Sequence, residues 1–301
     1  MKLALFSDVH GHLRLVLHLL RCWQMSHQTE LDGALIAGDL GCFPDPTKFD
    51  KATKRWLERD PEEAGFSRFF TRPVPQIKAM LDGESGPYSA IRCPILFVAG
   101  NHEDHAYLAS VATRSGVSAL VEETFPVDCY QAFHCIRDGR IVTLQGRDGV
   151  AIKIAGLWGI DNARPEAPYR IQEKAVRNLI RQGEGSFDLL LTHDAPVGVI
   201  PKGGSPQVTD VIRRCQPKVH VFGHIHAGKR HEFCHSGAAT RSWIFKDVSF
   251  GPTGNDRLEN SMGILHWNGR RLDVEIVQEL WLQKMQKHNW LQVLPPYQVK
   301  A

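Results

Sequence analysis

No apolar run in this chain is long enough to span a bilayer, so no membrane segment is expected. Net charge is also scarce. The balance is +3 over 301 residues, which argues neither for nor against a nucleic-acid partner. Cysteine occurs seven times, at Cys22, Cys42, Cys93, Cys129, Cys135, Cys215 and Cys234, and never as a CxxC pair. An odd count without paired spacing argues against a disulfide framework and a cysteine-rich zinc site, leaving ordinary reduced thiols. Only Cys42, three residues past Asp39, lies near other residues of chemical interest. There is no Walker A loop, no GxSxG elbow and no GxGxxG opening a helix after a strand, so no competing catalytic signature is present. Internal repeats and low-complexity tracts are absent as well.

What the chain does contain is a core. Apolar residues make up 43% of it, ample for burial, and its length suits one large domain or two small ones. The apolar run LALF begins at residue 3 and leaves no room for a signal peptide, so a cytoplasmic protein is the expectation. A strand over residues 3–7 is followed by HLRLVLHLLRCW, with Leu13, Val16, Leu17, Leu20 and Trp23 on one helical face. ALIAG and PILFVAG read as further strands, and EDHAYLASVATRSG as a helix ended by Gly116. Short strands alternate over 140–160, with a turn at Arg147–Gly149. RIQEKAVRNLIRQG is amphipathic on Ile171, Ala175 and Leu179, with Gly183 as its stop. Strands at 188–192 and 218–222 flank a short helix over 208–216, and SWIFKDVSFG reads as β. GILHWNG with RRLDVEIVQ then forms a hairpin before a polar amphipathic tail. The chain therefore reads as a single domain over 1–301, with a C-terminal hairpin and tail over about 262–301 and an insertion at about 43–92. That insertion holds a helix in KFDKATKRWLER and mixes Phe49, Trp56, Phe66, Phe69 and Phe70 with Arg55, Arg59, Arg68 and Arg72. It reads as a small helical cap with its own apolar contacts, or as a lid or nucleic-acid surface.

Eight polar residues sit in five clusters, each closing an apolar run. They are Asp8 and His10 in LALFSDVH, Asp39 in ALIAGDL, Asn101 and His102 in ILFVAGNHE, His193 in DLLLTHD, and His224 and His226 in VHVFGHIH. Ligands of open α/β sheets gather beyond the carboxyl ends of the strands, so five strands could deliver these groups to one point. Carboxylate, imidazole and one amide are what a site for two divalent cations needs. Without thiolate, the set suits manganese, iron, zinc or nickel alike and disfavours a soft metal, and manganese is the expected cofactor. A lone DxH or GD is a weak signal, GNH a stronger one, and GHxH after an apolar strand stronger still. The other histidines lack such support. His12 reads as an N-terminal helical residue or a substrate contact, as does His105, and His220 reads as a packed strand residue.

The order DxH, GD, GNH, H, GHxH resembles the calcineurin-like metallophosphoesterase superfamily, over residues 4 to about 228, with every signature position filled. The resemblance implies a four-layered α/β/β/α sandwich, two mixed β-sheets flanked by helices. It implies that Asp8, His10 and His226 hold a first metal and that Asn101, His193 and His224 hold a second. Asp39 would bridge the two, and His102 would be a catalytic, non-ligand histidine beside the leaving oxygen. The activity implied is binuclear metal-dependent hydrolysis of phosphoester bonds, by a metal-bridging hydroxide attacking in line. Phosphatase and phosphodiesterase both remain open, and the substrate is a small molecule, a nucleotide, a nucleic acid or a phosphoprotein. The THDAP run around His193, GNHE and the insertion are similar to lariat-debranching enzymes, many of which carry cysteine where this chain has Asp8. Scaffold members of the superfamily usually lose ligands or the catalytic histidine, whereas here all are present. Arg170 and Lys202 are further phosphate-contact candidates, with surface charge the plainer reading of each.

Overall fold

A computed structural model describes residues 1–114, 123–199, 203–225, 231–251, 254 and 256–295. The first sheet is built around a parallel centre. Strands β1 (Lys2–Phe6), β2 (Gly33–Ile36) and β3 (Ile95–Phe97) run parallel, and β1 is followed by helix α1 (Leu13–His27). Helix α5 (His105–Arg114) follows β3, and the hairpin of β4 (Thr124–Pro126) and β5 (Phe133–Ile136) extends the sheet beyond it. The second sheet holds β6 (Arg140–Gln145), β7 (Ala151–Leu157), β8 (Leu189–Thr192), β9 (Val219–Phe222), β10 (Glu232–His235) and β11 (Ala238–Ile244). Helices α6 (Glu173–Gln182) and α7 (Pro206–Cys215) precede β8 and β9. The final hairpin, β12 (Gly263–Trp267) and β13 (Leu272–Ile276), returns to the first sheet, where β12 pairs antiparallel with β1. The orders are β13-β12-β1-β2-β3-β5-β4 and β10-β11-β9-β8-β7-β6, so both sheets are mixed.

Both faces of the central strands are buried, which is why their sequences run apolar without alternation. Leu3, Leu5, Leu35 and Val98 meet Ile152, Ile154, Leu189 and Val221 between the sheets. Ala4, Phe6 and Ile36 face the other way, onto Val16, Leu20 and Trp23 of α1. Ala175 and Leu179 of α6 and Val208 and Ile212 of α7 cover the outer face of the second sheet. The four layers are therefore helix, sheet, sheet, helix, as the family resemblance implies.

The insertion is more helical than its sequence suggests. Its elements are α2 (Lys51–Leu57), α3 (Gly65–Phe69) and α4 (Pro75–Asp82), with single 3-10 turns at Pro46–Lys48 and Pro61–Ala64. The first helix starts at Lys51 because Asp50 caps it, its Oδ1 accepting from the Thr53 amide at 2.8 Å. Phe43, Phe49 and Ala64 form a small cluster of their own, but Phe66 and Phe70 join the main core. Three of the five aromatics that suggested a nucleic-acid surface, Phe49, Phe66 and Phe70, are thus buried, and no base could stack on them. Elsewhere β11 begins at Ala238 and stops at Ile244, so Phe245–Gly251 is a loop, and its partner β10 was not legible in the sequence. The tail forms α8 (Leu280–Lys284) and packs on the domain through Trp281, Leu282, Met285 and Trp290. Gly116, expected to end α5, lies outside the described residues. No helix among the described residues is long and apolar enough to cross a membrane.

Candidate metal centre

The exits of β1, β2, β3, β8 and β9 open onto one edge of the sandwich and are tied to one another by hydrogen bonds. The Val9 and His10 amides donate to Asp39 O at 2.9 and 2.7 Å, and the Gly11 amide to Leu40 O at 2.9 Å. Asp39 Oδ1 accepts from the His102 amide at 2.8 Å, and Asp8 Oδ1 from the His224 amide at 3.0 Å. These bonds cross from one strand exit to the next, so no motif is held by its own loop alone. The backbone itself turns to aim the side chains. Asp8, His10, Asp39 and His224 all adopt left-handed φ, at 39°, 46°, 48° and 68°. Aspartate and histidine tolerate that region better than most residues, and such strain gathers at functional sites. Two glycines permit the close approach. A Cβ at Gly38 would run into the His193 ring, and one at Gly100 into the Asp39 carboxylate.

Asp8, His10 and Asp39 each place a ligand atom within 4.8 Å of the others. His193 is fully buried and its ring is fixed by Nδ1–H donating to Ala37 O at 2.9 Å. Its Nε2 then faces two oxygens, Asp39 Oδ1 and Asn101 Oδ1, each at 3.2 Å. A neutral imidazole would set its lone pair against both, so either a proton or a cation belongs at that point. The His224 ring lies across His193, with centroids 5.1 Å apart. His226 lies outside the described residues. Seven of the eight sequence candidates are therefore brought together, and the eighth is not described.

The donor set fits divalent cations on two further counts. Asp8 Oδ2 is buried with no hydrogen-bond partner among the described residues, a state that costs several kcal/mol unless a cation or proton meets it. Burial pushes the Asp8 carboxyl up to about 8, with His193 opposing and Asp39 and Asp247 adding to the shift. Burial opposes charge on Asp39 and His193 as well, but their mutual attraction prevails. Asp39 is held well below the usual carboxylate range, and His193 is raised to about 10, so it carries a proton that a cation at Nε2 would have to displace. Burial lowers His10 and His224 to about 4, keeping them as the neutral imidazoles that metal ligation requires. Cys42 is no competitor. Its thiol is buried in the core and pushed well above its ordinary value by burial and by Glu103.

His102 stands apart. Its ring is 5.3 Å from that of His10, and its Nδ1–H donates to Asp50 Oδ2 at 2.5 Å. Burial disfavours the imidazolium, but the Asp50 carboxylate overrides it and brings the pKa up to about 9. Asp50 is the functional residue that sequence reading missed. An aspartate ahead of a helix reads as a cap, and nothing local shows that its second oxygen reaches a histidine 52 positions away. Glu103 was also passed over. It accepts from the Leu40 and Cys42 amides at 2.7 and 2.6 Å and so braces the loop that carries Asp39.

Above these groups lies a cavity of about 430 Å³. Its floor is Asp8, His10, Asp39, His102 and His224. One wall is Ala52, Thr53, Arg55, Trp56, Asp60 and Glu63 of the insertion, and the other is Asp247, Ser249, Gly251 and Asp256. His12 lines the cavity too, buried and bonded through Nε2 to Asp60 at 3.2 Å. His105 does not, since its Nε2 donates to Gly100 O at 2.9 Å. His220 is a packed strand residue, held between Thr192 and Ser242 at 2.8 Å each. Arg170 donates to Ala163 O at 2.8 Å and is not part of the lining, and Lys202 lies outside the described residues.

A family model described as calcineurin-like phosphoesterase matches residues 1–228. Metallophosphoesterase domain-containing protein 1 of Homo sapiens and that of Mus musculus are each 32% identical over a 159-residue alignment. The alignment covers 44% of this chain and 44% of each relative, so the chain spans less than half the length of the curated relatives it matches. Among solved structures, TT1561 of Thermus thermophilus is 16% identical, with a TM-score of 0.48, covering 92% of this chain and 99% of that one. A hypothetical protein from the same organism is 10% identical, with a TM-score of 0.46, covering 93% and 100%.

Proposed function

The chain belongs to the calcineurin-like phosphoesterase family, and on that premise we propose that it is a hydrolase that cleaves phosphoester bonds with a pair of divalent cations. The observation that carries this reading is the crowding of Asp8, His10 and Asp39 ligand atoms within 4.8 Å, beside a His193 Nε2 that faces two oxygens. Asp8, His10 and Asp39 would hold one cation, and Asn101, His193 and His224, with Asp39, a second; the family pattern implies that His226 would join the first. Such cations supply Lewis acidity toward phosphoryl oxygens and a water acidic enough to attack at neutral pH. Manganese is the proposed metal, with iron, zinc or nickel compatible with the same donors.

The protein's own groups do the rest. His102 lines the cavity with Nδ1 tied to Asp50, which leaves Nε2 as the nitrogen that gives a proton to the departing oxygen. Asp50 fixes the ring's orientation, and Glu103 keeps the Asp39 loop in place.

The test is to reconstitute the protein with Mn²⁺ and assay p-nitrophenyl phosphate and bis-p-nitrophenyl phosphate side by side, with His102→Ala as control. His102-dependent turnover of either supports the reading, and faster turnover of the diester identifies a phosphodiesterase. Failure to retain metal, with no turnover of either, would return the chain to the non-catalytic members of the fold.

A further inference from the structure

The cavity floor accounts for the phosphoryl group and leaves open what the phosphorus is attached to. The wall chemistry narrows it. Helix α2 is held against the floor by Asp50, whose one oxygen caps the helix and whose other binds His102. It presents Ala52, Thr53 and Trp56 to the cavity, residues that share one helical face. Among the described lining residues, Trp56 offers the one large apolar surface. The rest of the lining is carboxylate, hydroxyl, imidazole, small side chains and the Arg55 guanidinium, with Glu63, Ser249, Asp247 and Asp256 around the same space. An acyl chain would find no apolar wall there beyond one indole. A polyanionic strand would meet the four wall carboxylates of Asp60, Glu63, Asp247 and Asp256 against the single guanidinium of Arg55. A flat ring, by contrast, finds a flat partner with polar groups around its edge.

We propose that Trp56 determines specificity, stacking on a planar ring in the alcohol portion of a small phosphoester that carries one phosphoryl group. This rests on the phosphoesterase reading and extends it to the substrate class. The Arg55 and Arg59 guanidiniums lie over the Trp56 ring at 5.1 and 5.9 Å from its centroid, and both are exposed, so Arg55 can move off the ring toward a phosphoryl oxygen as the planar group arrives. The ring can come from a nucleoside or from a simple aryl alcohol, and the experiment separates the two.

The test measures binding by calorimetry to the Mn²⁺-loaded protein, every form, wild type at Trp56 included, carrying His102→Ala so that the bound phosphoester is not turned over during the titration. Adenosine 5′-monophosphate and ribose 5-phosphate share a phosphoester and a sugar and differ only in the base. Wild type should favour the nucleotide by about 10- to 100-fold, the range that stacking on one aromatic side chain provides. Trp56→Ala should collapse that ratio toward one, and Trp56→Phe should keep most of it. Phenyl phosphate against ethyl phosphate forms the second pair. A Trp56-dependent ratio in both pairs identifies any flat ring, and in the first pair alone a nucleoside. Equal affinities within each pair in wild type would overturn the proposal. So would a Trp56→Ala variant that weakens all four ligands while leaving the ratios intact, because the residue would then be structural. If the ratios hold but nothing is hydrolysed, the failure lies with the phosphoesterase reading and not with Trp56.

Discussion

The floor and the insertion wall of the cavity are made in opposite ways. Every floor residue stands at a strand exit, and its position follows from the parallel register of β1, β2 and β3 and of β8 and β9. The wall is a run of short helices and turns, placed by a few contacts with the floor and the core. Those contacts are specific. His12 donates to Asp60, His102 to Asp50, and Lys287 of the tail reaches Asp60 at 3.3 Å. Phe70 lies between the rings of Tyr130 and Phe133 at 5.9 and 5.5 Å. A sheet edge can present ligands with little help, whereas a helical wall needs anchoring from outside itself. The insertion is therefore joined to the cavity floor through Asp50 and to the core through Phe66 and Phe70.

The sharpest way to separate the two is at the floor. Asp39→Asn should release both cations together and abolish turnover, read as metal content per protein. Loss of only one would show that Asp39 does not bridge. His102→Ala should lower turnover by about 10²- to 10⁴-fold with metal content unchanged, and parallel metal loss would make it a ligand instead.

The wall should answer in stability before chemistry. Phe70→Ala removes a fully buried ring and should cost about 3–5 kcal/mol in denaturant unfolding, as expected of a core residue and not of a detachable lid. Asp50→Asn should slow turnover by roughly 10-fold or somewhat more, the scale of losing a carboxylate that orients a reacting histidine. The loss should be greater for alkyl phosphoesters than for p-nitrophenyl ones, because a poor leaving group depends more on the proton from His102. A uniform loss would mean that Asp50 acts only as a cap. The smallest effect is that cap itself. Asp50→Ala should cost about 1 kcal/mol of stability beyond Asp50→Asn.

Much of the molecule was legible because its periodicity is local. Leu13, Val16, Leu17, Leu20 and Trp23 do face the sheet, and Gly183 does end α6. The apolar runs before Asp8, Asp39, Asn101, His193 and His224 are strands buried on both faces. The insertion was harder to read for the converse reason. Its helices are short, from five to eight residues, so a 3.6-residue period barely repeats. Its aromatics serve two cores and a cavity at once. β10 escaped notice because its residues are half-buried or exposed and carry no apolar signal.

Residue type and placement after apolar runs were enough to name candidate donors, because a strand's direction and its exit are written in consecutive residues. Their convergence needed both sheets, since the His193 and His224 exits meet those of Asp8 and Asp39 only when the layers pack. The partnership of Asp50 with His102, and the position of Trp56 over the floor, came from tertiary structure alone. The first joins side chains 52 residues apart, and the second sets a helix of the insertion beside strand exits from both sheets, meetings that no local pattern encodes.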